Sequence, residues 1–482
     1  MKRIIKSYIV LLAGVAALSM QQGCGDYFDL NTNPNLVSEP SLPSLLTTAT
    51  KKTGNSSYQG GSLAAPYVQY TANPSASGAA DTYQIVDYTN TWDNFYFAMA
   101  DITDMKNLAI TSEASEYVGV ANVLLAYHLS LILDFWGDAP FSEAFSDTFM
   151  PKYDSSEQNY QRALALLDEA IAELGKTDSK IRLDAASDFI HGGDRMAWIK
   201  TAYALKARLL NKISKKSSYN PTAVLSALDN AYQSNGDDAG MNAFQTRNDW
   251  AAVAVANAGL SLGGWLSEQL IDHLNGTTYG LFDPRLPKIT DPTGLSLTTD
   301  YPAWIGTVNG EGNRHNPPHN NTVHDENYIS RNSPWTNDTS SLWIVTYAEL
   351  KFIEAEAALA AGQPDRAYTA YLAGIRANMD KLQVAPADRE AYVTHPSVSV
   401  GAGNLTKKLI FKEKYVVTYL NAEAWADVRR NNYDYEDFTL PTNAVLSNFI
   451  RRVAYPSGER TKNGPNVPAE VSLDTPLWWD QP

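Results

Sequence analysis

Glu116–Pro140, EYVGVANVLLAYHLSLILDFWGDAP, is the stretch that decides the architecture of this chain. Val120, Val123, Leu124, Tyr127 and Leu131 recur at the spacing of one helix face, which predicts a helix from Glu116 to Phe135. Trp136-Gly137-Asp138-Ala139-Pro140 ends it, with Gly137 as the C-cap and Pro140 unable to continue the helix. The same reading extends outward. Ser156–Leu174 carries a stripe of Tyr160, Ala163, Leu164, Leu167, Ile171 and Leu174, with Ser155 or Ser156 as its cap. Arg195–Ile213 and Pro221–Tyr232 follow as a pair, Pro221 suiting a first helical turn. Leu342–Ala361, Pro364–Leu382 and Leu405–Arg429 read as further helices. Between the two groups, residues 235–342 are rich in Gly, Pro, Asn, Asp and Thr, with one helix predicted at Leu262–Leu274. A loop region this long inside a compact body is usually functional. The expected fold is mostly α. Tetratricopeptide-like helix pairs, units of about 34 residues without a strict repeat consensus, carry one long irregular insertion.

The amino terminus reads differently. Lys2, Arg3 and Lys6 precede an apolar run from Tyr8 to Leu18, and small and polar residues lead to Gly23 and Cys24. These are the three regions of a secretory signal. The apolar run is shorter than the ~20 residues that cross a bilayer, and no later segment is expected to span one. Gly23-Cys24 resembles the lipobox of bacterial lipoproteins, although Gln21 stands where Leu is usual. Cys24 is the chain's single cysteine, and an exported chain with one free thiol invites wrong pairing, so acylation of Cys24 is expected. The organisation predicted is a signal peptide over residues 1–23, an extended lipid-anchored tether over 24–60 and a single domain over 61–482.

The formal charge of −15 disfavours a nucleic-acid partner, because the chain repels phosphate backbones. It also means that a lipid rather than a basic patch would hold the chain at an anionic membrane. With one cysteine, the fold depends on its core and not on disulfides. Aromatics are abundant, with 11 Trp, 27 Tyr and 14 Phe, and Tyr predominates. Rings with a polar tip suit flat apolar faces at a wet surface.

Several short segments recur in a family order. They are Asp101-Ile102-Thr103-Asp104-Met105-Lys106-Asn107-Leu108, Asp134–Ala144, Met150-Pro151-Lys152-Tyr153-Asp154 and Phe282-Asp283-Pro284-Arg285-Leu286-Pro287. Tyr347-Ala348-Glu349-Leu350, Ile353-Glu354-Ala355-Glu356-Ala357, Glu423–Arg430 and Arg451-Arg452-Val453-Ala454-Tyr455-Pro456 complete the set. Together they resemble the SusD/RagB family of nutrient-binding outer-membrane lipoproteins, in its SusD-like branch, over nearly the whole chain. The resemblance implies a non-enzymatic protein at the cell surface that binds a glycan or peptide oligomer. It implies a partner too, a SusC-like TonB-dependent transporter that the protein caps as a hinged lid. The motifs themselves read as scaffold. Trp136 is expected to pack, and Trp425 to anchor the last long helix while Arg429 and Arg430 meet carboxylates.

Catalytic and metal signals are weak. Gly259-Leu260-Ser261-Leu262-Gly263 has the spelling of a nucleophile elbow, but an elbow needs βαβ alternation around it, and helix pairs surround Ser261. His315, His319 and His324, with Asp325 and Glu326, form the densest ligand-type cluster, yet Pro317 and Pro318 forbid the helix that would align His315 with His319. No catalytic residue, metal or cofactor is expected. Sugar capture needs a flat aromatic beneath the ring and polar groups around its edge. The resemblance implies a site gathered from an early loop and the central insertion. The candidates are therefore Tyr67, Tyr70, Tyr83 and Tyr88, and then Tyr279, Tyr301, Trp304, Asn309, Arg314 and Trp335, with at least one pair expected on the exposed face.

Overall fold

A computed structural model describes residues 40–258, 263–312 and 325–482. The signal segment, Cys24, Ser261, Arg314, His315, His319 and His324 lie outside the described residues. The body runs from Leu42 to Pro482, and its described residues form fifteen α-helices and are 50% helical, as a mostly α reading requires.

The deciding helix is α3 (Ser115–Phe135), which follows α1 (Leu42–Ala64) and α2 (Thr89–Thr111). Every residue of α3 is buried, which explains why it has no polar face. It is long and apolar enough to cross a membrane, contrary to the expectation that no later segment would be, but neighbouring helices cover its whole surface. Gly137, at φ +87°, takes the left-handed turn beyond its end. Next comes α4 (Ser156–Gly175), with a capping box: Ser155 Oγ accepts from the Gln158 amide, and Gln158 Oε1 accepts from the Ser155 amide. Asp194 caps α5 (Arg195–Lys212), and Asn220 caps α6 (Pro221–Leu228), which stops short of Tyr232. Helices α2 to α6 pack as sequential neighbours, and the pattern resumes later with α10 (Tyr347–Ala360) and α11 (Pro364–Lys381).

The expected tether over 24–60 is corrected for its second half, because α1 already starts at Leu42. Leu42, Leu46, Ala49, Thr50 and Thr53 are buried at helical spacing. Polar residues that suggested extended chain instead bond back within the helix, Thr50 Oγ1 to Leu46 O and Thr53 Oγ1 to Ala49 O, each at 2.8 Å. Gly60 and Gly61 let α1 approach Ala422 and the Leu420 carbonyl closely.

The insertion is more ordered than a loop reading implies. It contains α7 (Asp249–Ala258), α8 (Glu268–Asn275) and α9 (Leu286–Ile289). Strand β1 (Thr71–Ala72) pairs antiparallel with β3 (Trp265–Leu266), and β2 (Ala239–Met241) with β4 (Leu342–Val345). Two predicted helices are therefore shorter. β3 occupies part of Leu262–Leu274, and the Ser267 cap starts α8 afterwards. The β-prone LWIV of β4 precedes the Thr346 cap of α10. The helix expected over Leu405–Arg429 is two, α13 (Lys407–Val417) and α14 (Glu423–Arg430), after α12 (Pro386–Val393). Leu420, at φ +58°, breaks them, and Asn421 Oδ1 accepts from the Glu423 amide to restart the turn.

Buried charges tie these helices together. Lys212 Nζ donates to Asp134 at the end of α3 and to Glu423 at the start of α14, at 2.8 and 2.9 Å. Lys414 and Arg430 share Glu356 and Asp427, so Arg430 meets carboxylates as expected. Arg429 does not: it donates to the carbonyls of Trp425, Asp134 and Arg451. Its guanidinium lies between the rings of Trp425 and Trp479, at 4.1 and 4.6 Å, which satisfies the cation through carbonyl dipoles and π faces. Trp136 packs fully buried against Trp92 and donates to Ala454 O.

Candidate ligand site

Four of the candidate rings are core residues and cannot serve as stacking platforms. Tyr67 packs on Trp425 at 4.8 Å and bonds Tyr88 through its hydroxyl. Tyr70 donates to Tyr415 O at 2.5 Å, and Trp335 packs on Trp343. Tyr83 is buried at φ +59°. Each lies in an irregular segment that folds inward, where the Tyr67 and Tyr70 hydroxyls find a side-chain and a main-chain partner in place of water. Tyr88, Tyr279, Tyr301 and Trp304 keep part of their surface exposed. Tyr279 meets His273 edge-on and lies under Lys412 Nζ.

The early loop and the insertion do meet. Ser75 bridges to Gly312, Asn309 Nδ2 donates to Thr71 O, and Asn309 Oδ1 accepts from Ser267. Asp81 accepts from the amides of Asn73 and Gly310, joining both segments, and burial pushes its carboxyl up to about 6 despite those bonds. Gly310, at φ +78°, has no room for a Cβ beside the Thr442 carbonyl, so a C-terminal segment closes the same junction. Asn309 thus holds the junction together with both of its amide atoms committed.

A ring pair with one exposed member lies elsewhere in the insertion. Phe282, 45% exposed, sits 6.4 Å from Trp304. Beside it runs a groove of about 550 Å³ between the Phe282–Lys288 turn and α12, lined by Phe282, Pro284, Pro287 and Tyr392, with Lys288, Asp388 and His395 as polar groups. Arg285 fixes this turn from below. It is fully buried, bonds Asp283 and Glu413 at 2.5 Å each, and lies over the Tyr392 ring. Burial pushes the Glu413 carboxyl up, but Arg285 and Lys412 outweigh it and hold the group down at about 2. The turn is therefore charged beneath and aromatic above. Sequence reasoning quoted Phe282 within a scaffold motif and missed its ring. The available signal was Asp283-Pro284-Arg285, a turn that buries its charges and leaves the preceding residue outside.

This geometry belongs to a chain whose residues 34–456 match the SusD-like family described as "Starch-binding associating with outer membrane". The chain belongs to the SusD-like family. A SusD/RagB family protein from Bacteroides thetaiotaomicron is similar to it at 20% identity and a TM-score of 0.75, covering 92% of this chain and 99% of that one. A chitin-binding SusD homolog from Flavobacterium johnsoniae has 19% identity and a TM-score of 0.75, with 90% and 98% covered. A Bacteroidetes SusD-like structure has 21% identity and a TM-score of 0.77, with 92% and 100% covered. Among curated proteins none matches. At these identities the neighbours establish the SusD-like fold, and the ligand must be read from this chain's own exposed side chains.

Proposed function

We propose that this SusD-like chain captures a glycan oligomer at the cell surface and delivers it to a SusC-like TonB-dependent barrel, anchored in the outer membrane by a lipid on Cys24. The observation that carries the ligand reading is the pair of exposed Phe282 and half-buried Trp304 at the edge of the groove of about 550 Å³. A sugar presents an apolar ring face and a rim of hydroxyls, which suits the exposed Phe282 ring, backed by Trp304, beside Lys288, Asp388 and His395. The family description names starch, and a structural neighbour is described as chitin-binding, so both polymers are the first ligands to test. In this role the protein binds and releases without chemistry.

Calorimetry with starch and chitin oligomers tests the reading. Phe282→Ala and Trp304→Ala should each weaken binding about tenfold, equivalent to about 1.4 kcal/mol, while Tyr70→Phe should leave affinity unchanged. Wild-type affinity in the double variant would exclude this groove as the site. Turnover of either oligomer by the purified protein would overturn the non-enzymatic reading. Mass spectrometry of the mature terminus from native membranes should find acylated Cys24, and Cys24→Ser should release the chain from the membrane. Copurification with a TonB-dependent barrel tests the partner.

A further inference from the structure

A second groove lies away from the ring pair, where the early loop meets the C-terminal segment. It encloses about 240 Å³ and is mostly apolar. Tyr83, Val453 and Leu473 are buried in its floor. Three large aliphatic residues stand at its mouth: Ile85 at 69% exposure, Val445 at 63% and Val471 at 45%. Single exposed aliphatics need no explanation, but three around one apolar depression form a patch that water solvates poorly.

The walls are held by main-chain bonds. The Val445 amide donates to Thr82 O, and the Arg451 and Arg452 amides both donate to Leu473 O. The Val453 amide donates to Phe135 O, at the end of the central helix α3. Tyr83 is kept at φ +59°, a conformation that large side chains rarely adopt, so the floor is built against local preference. A depression so braced is preformed and needs no rearrangement to accept a side chain.

Its charge is also distinctive. Two arginines border it in a chain whose formal charge is −15. Arg460 is paired with Glu470 at 3.0 Å. Arg452 donates to the Trp136 carbonyl at 2.9 Å and lies over the Tyr455 ring, and it forms no ion pair among the described residues. Its charge is therefore met by a dipole and a π face, while the Glu470 carboxylate of the same groove is taken by Arg460.

Size separates two kinds of occupant. Small-molecule sites enclose about 300–1,000 Å³, and this depression is smaller. Its apolar surface instead continues outward over Ile85, Val445 and Val471, as an anchor pocket does within a larger contact. We propose that this groove is a docking pocket for a partner protein, which inserts one large apolar side chain over Tyr83, Val453 and Leu473 and sets a neighbouring carboxylate on Arg452. The aliphatic rim then excludes water around the anchor, and the carboxylate supplies the counter-charge that Arg452 lacks.

The test uses the full chain with methyl-labelled Ile, Val and Leu, titrated with a blocked Phe-Glu dipeptide. Saturable shifts at the Ile85, Val445 and Val471 methyls are expected. Blocked Phe-Gln and Ser-Glu should each bind at least tenfold more weakly. Arg452→Gln should weaken the Phe-Glu response at least tenfold and abolish the preference for Glu over Gln. Because Arg452 also bonds the Trp136 carbonyl, Val471→Asp, at an exposed position, provides a second variant and should weaken binding comparably with an unchanged methyl spectrum elsewhere. Absence of shifts with Phe-Glu overturns the proposal, and so does equal response to Phe-Glu and Phe-Gln. Shifts at the same methyls caused by self-association in sedimentation, or by a glycan oligomer, would assign the groove to a second copy or to sugar, and either would overturn it.

Discussion

Replacing Lys212 with Met tests the buried charges that join the helices. The Lys212 side chain has no exposed surface, and its ammonium bonds both Asp134 oxygens at 2.8 Å and Glu423 at 2.9 Å. Those carboxylates belong to α3 and α14, and the lysine to α5. Lys212→Met leaves two buried carboxylates without their shared cation, while Arg208 stays 4.0 Å from Glu423. Unit charges about 4 Å apart interact by about 4 kcal/mol at an effective dielectric of about 20. Breaking a buried pair from one side costs about 3–5 kcal/mol, which is the loss expected from urea unfolding at pH 8. The loss should also depend on pH. Burial pushes Asp134 up to about 6 even with Lys212 pulling it down, and without the lysine it rises further. A carboxyl raised in the folded state holds its proton there and loses it on unfolding, so its contribution to stability grows as pH falls through the folded value. Between pH 8 and pH 5.5 the gap from wild type should shrink by about 1–2 kcal/mol, since each unit of further shift is worth 1.36 kcal/mol. Adding Asp134→Asn should recover part of the loss at pH 8. A loss below about 1 kcal/mol at pH 8, or a gap that does not change with pH, would refute the reasoning.

Other outcomes follow from packing, capping and burial. Gly119→Ala places a methyl into Leu174 across the α3–α4 contact and should destabilise by about 1–3 kcal/mol, whereas Gly175→Ala, with nothing within 4 Å, should change the thermal midpoint little. Ser155→Ala removes one half of the capping box of α4 and should cost about 1 kcal/mol, read by urea unfolding. Burial pushes His128 and His191 down to about 4 and His273 to about 3, so all three should remain neutral by NMR at pH 5.5. Their depressed values mean that the unfolded chain binds extra protons below its ordinary pKa of about 6.5, so their contribution weakens as pH falls from there, and His128→Gln should flatten that loss.

The helix pairs were legible because their signals are local. The α3 stripe, the Gly137 turn, the Ser155 cap and Pro221 each depend on residues within a few positions. What was not legible depends on distant partners. Residues 42–60 read as polar tether until Leu420, Ala422 and Met241 are beside the glycines of α1, because only contact explains why small residues there favour close helix packing over extension. Leu342–Val345 reads as helix until β2 supplies its hydrogen bonds. The break at Leu420 has no Gly or Pro to announce it, and the conformation is fixed by what α1 and Asn421 do around it.

The candidate site follows the same logic at the level of single side chains. A Tyr-rich stretch tells how many amphipathic rings are present but not which way they face. Tyr67 and Tyr70 point inward because Trp425, Tyr415 and Tyr419 form an aromatic cluster there, reached only after α13 and α14 return to α1. Phe282 faces outward because its neighbours leave it no inward path: Asp283 and Arg285 occupy the buried side, bonded to each other and to Glu413. A charged pair that must be desolvated takes the interior position only when its hydrogen bonds are complete, and Tyr392 completes this one through Glu413 Oε1 at 2.8 Å. The charges of this turn are therefore satisfied internally, and the Phe282 ring is left at the surface.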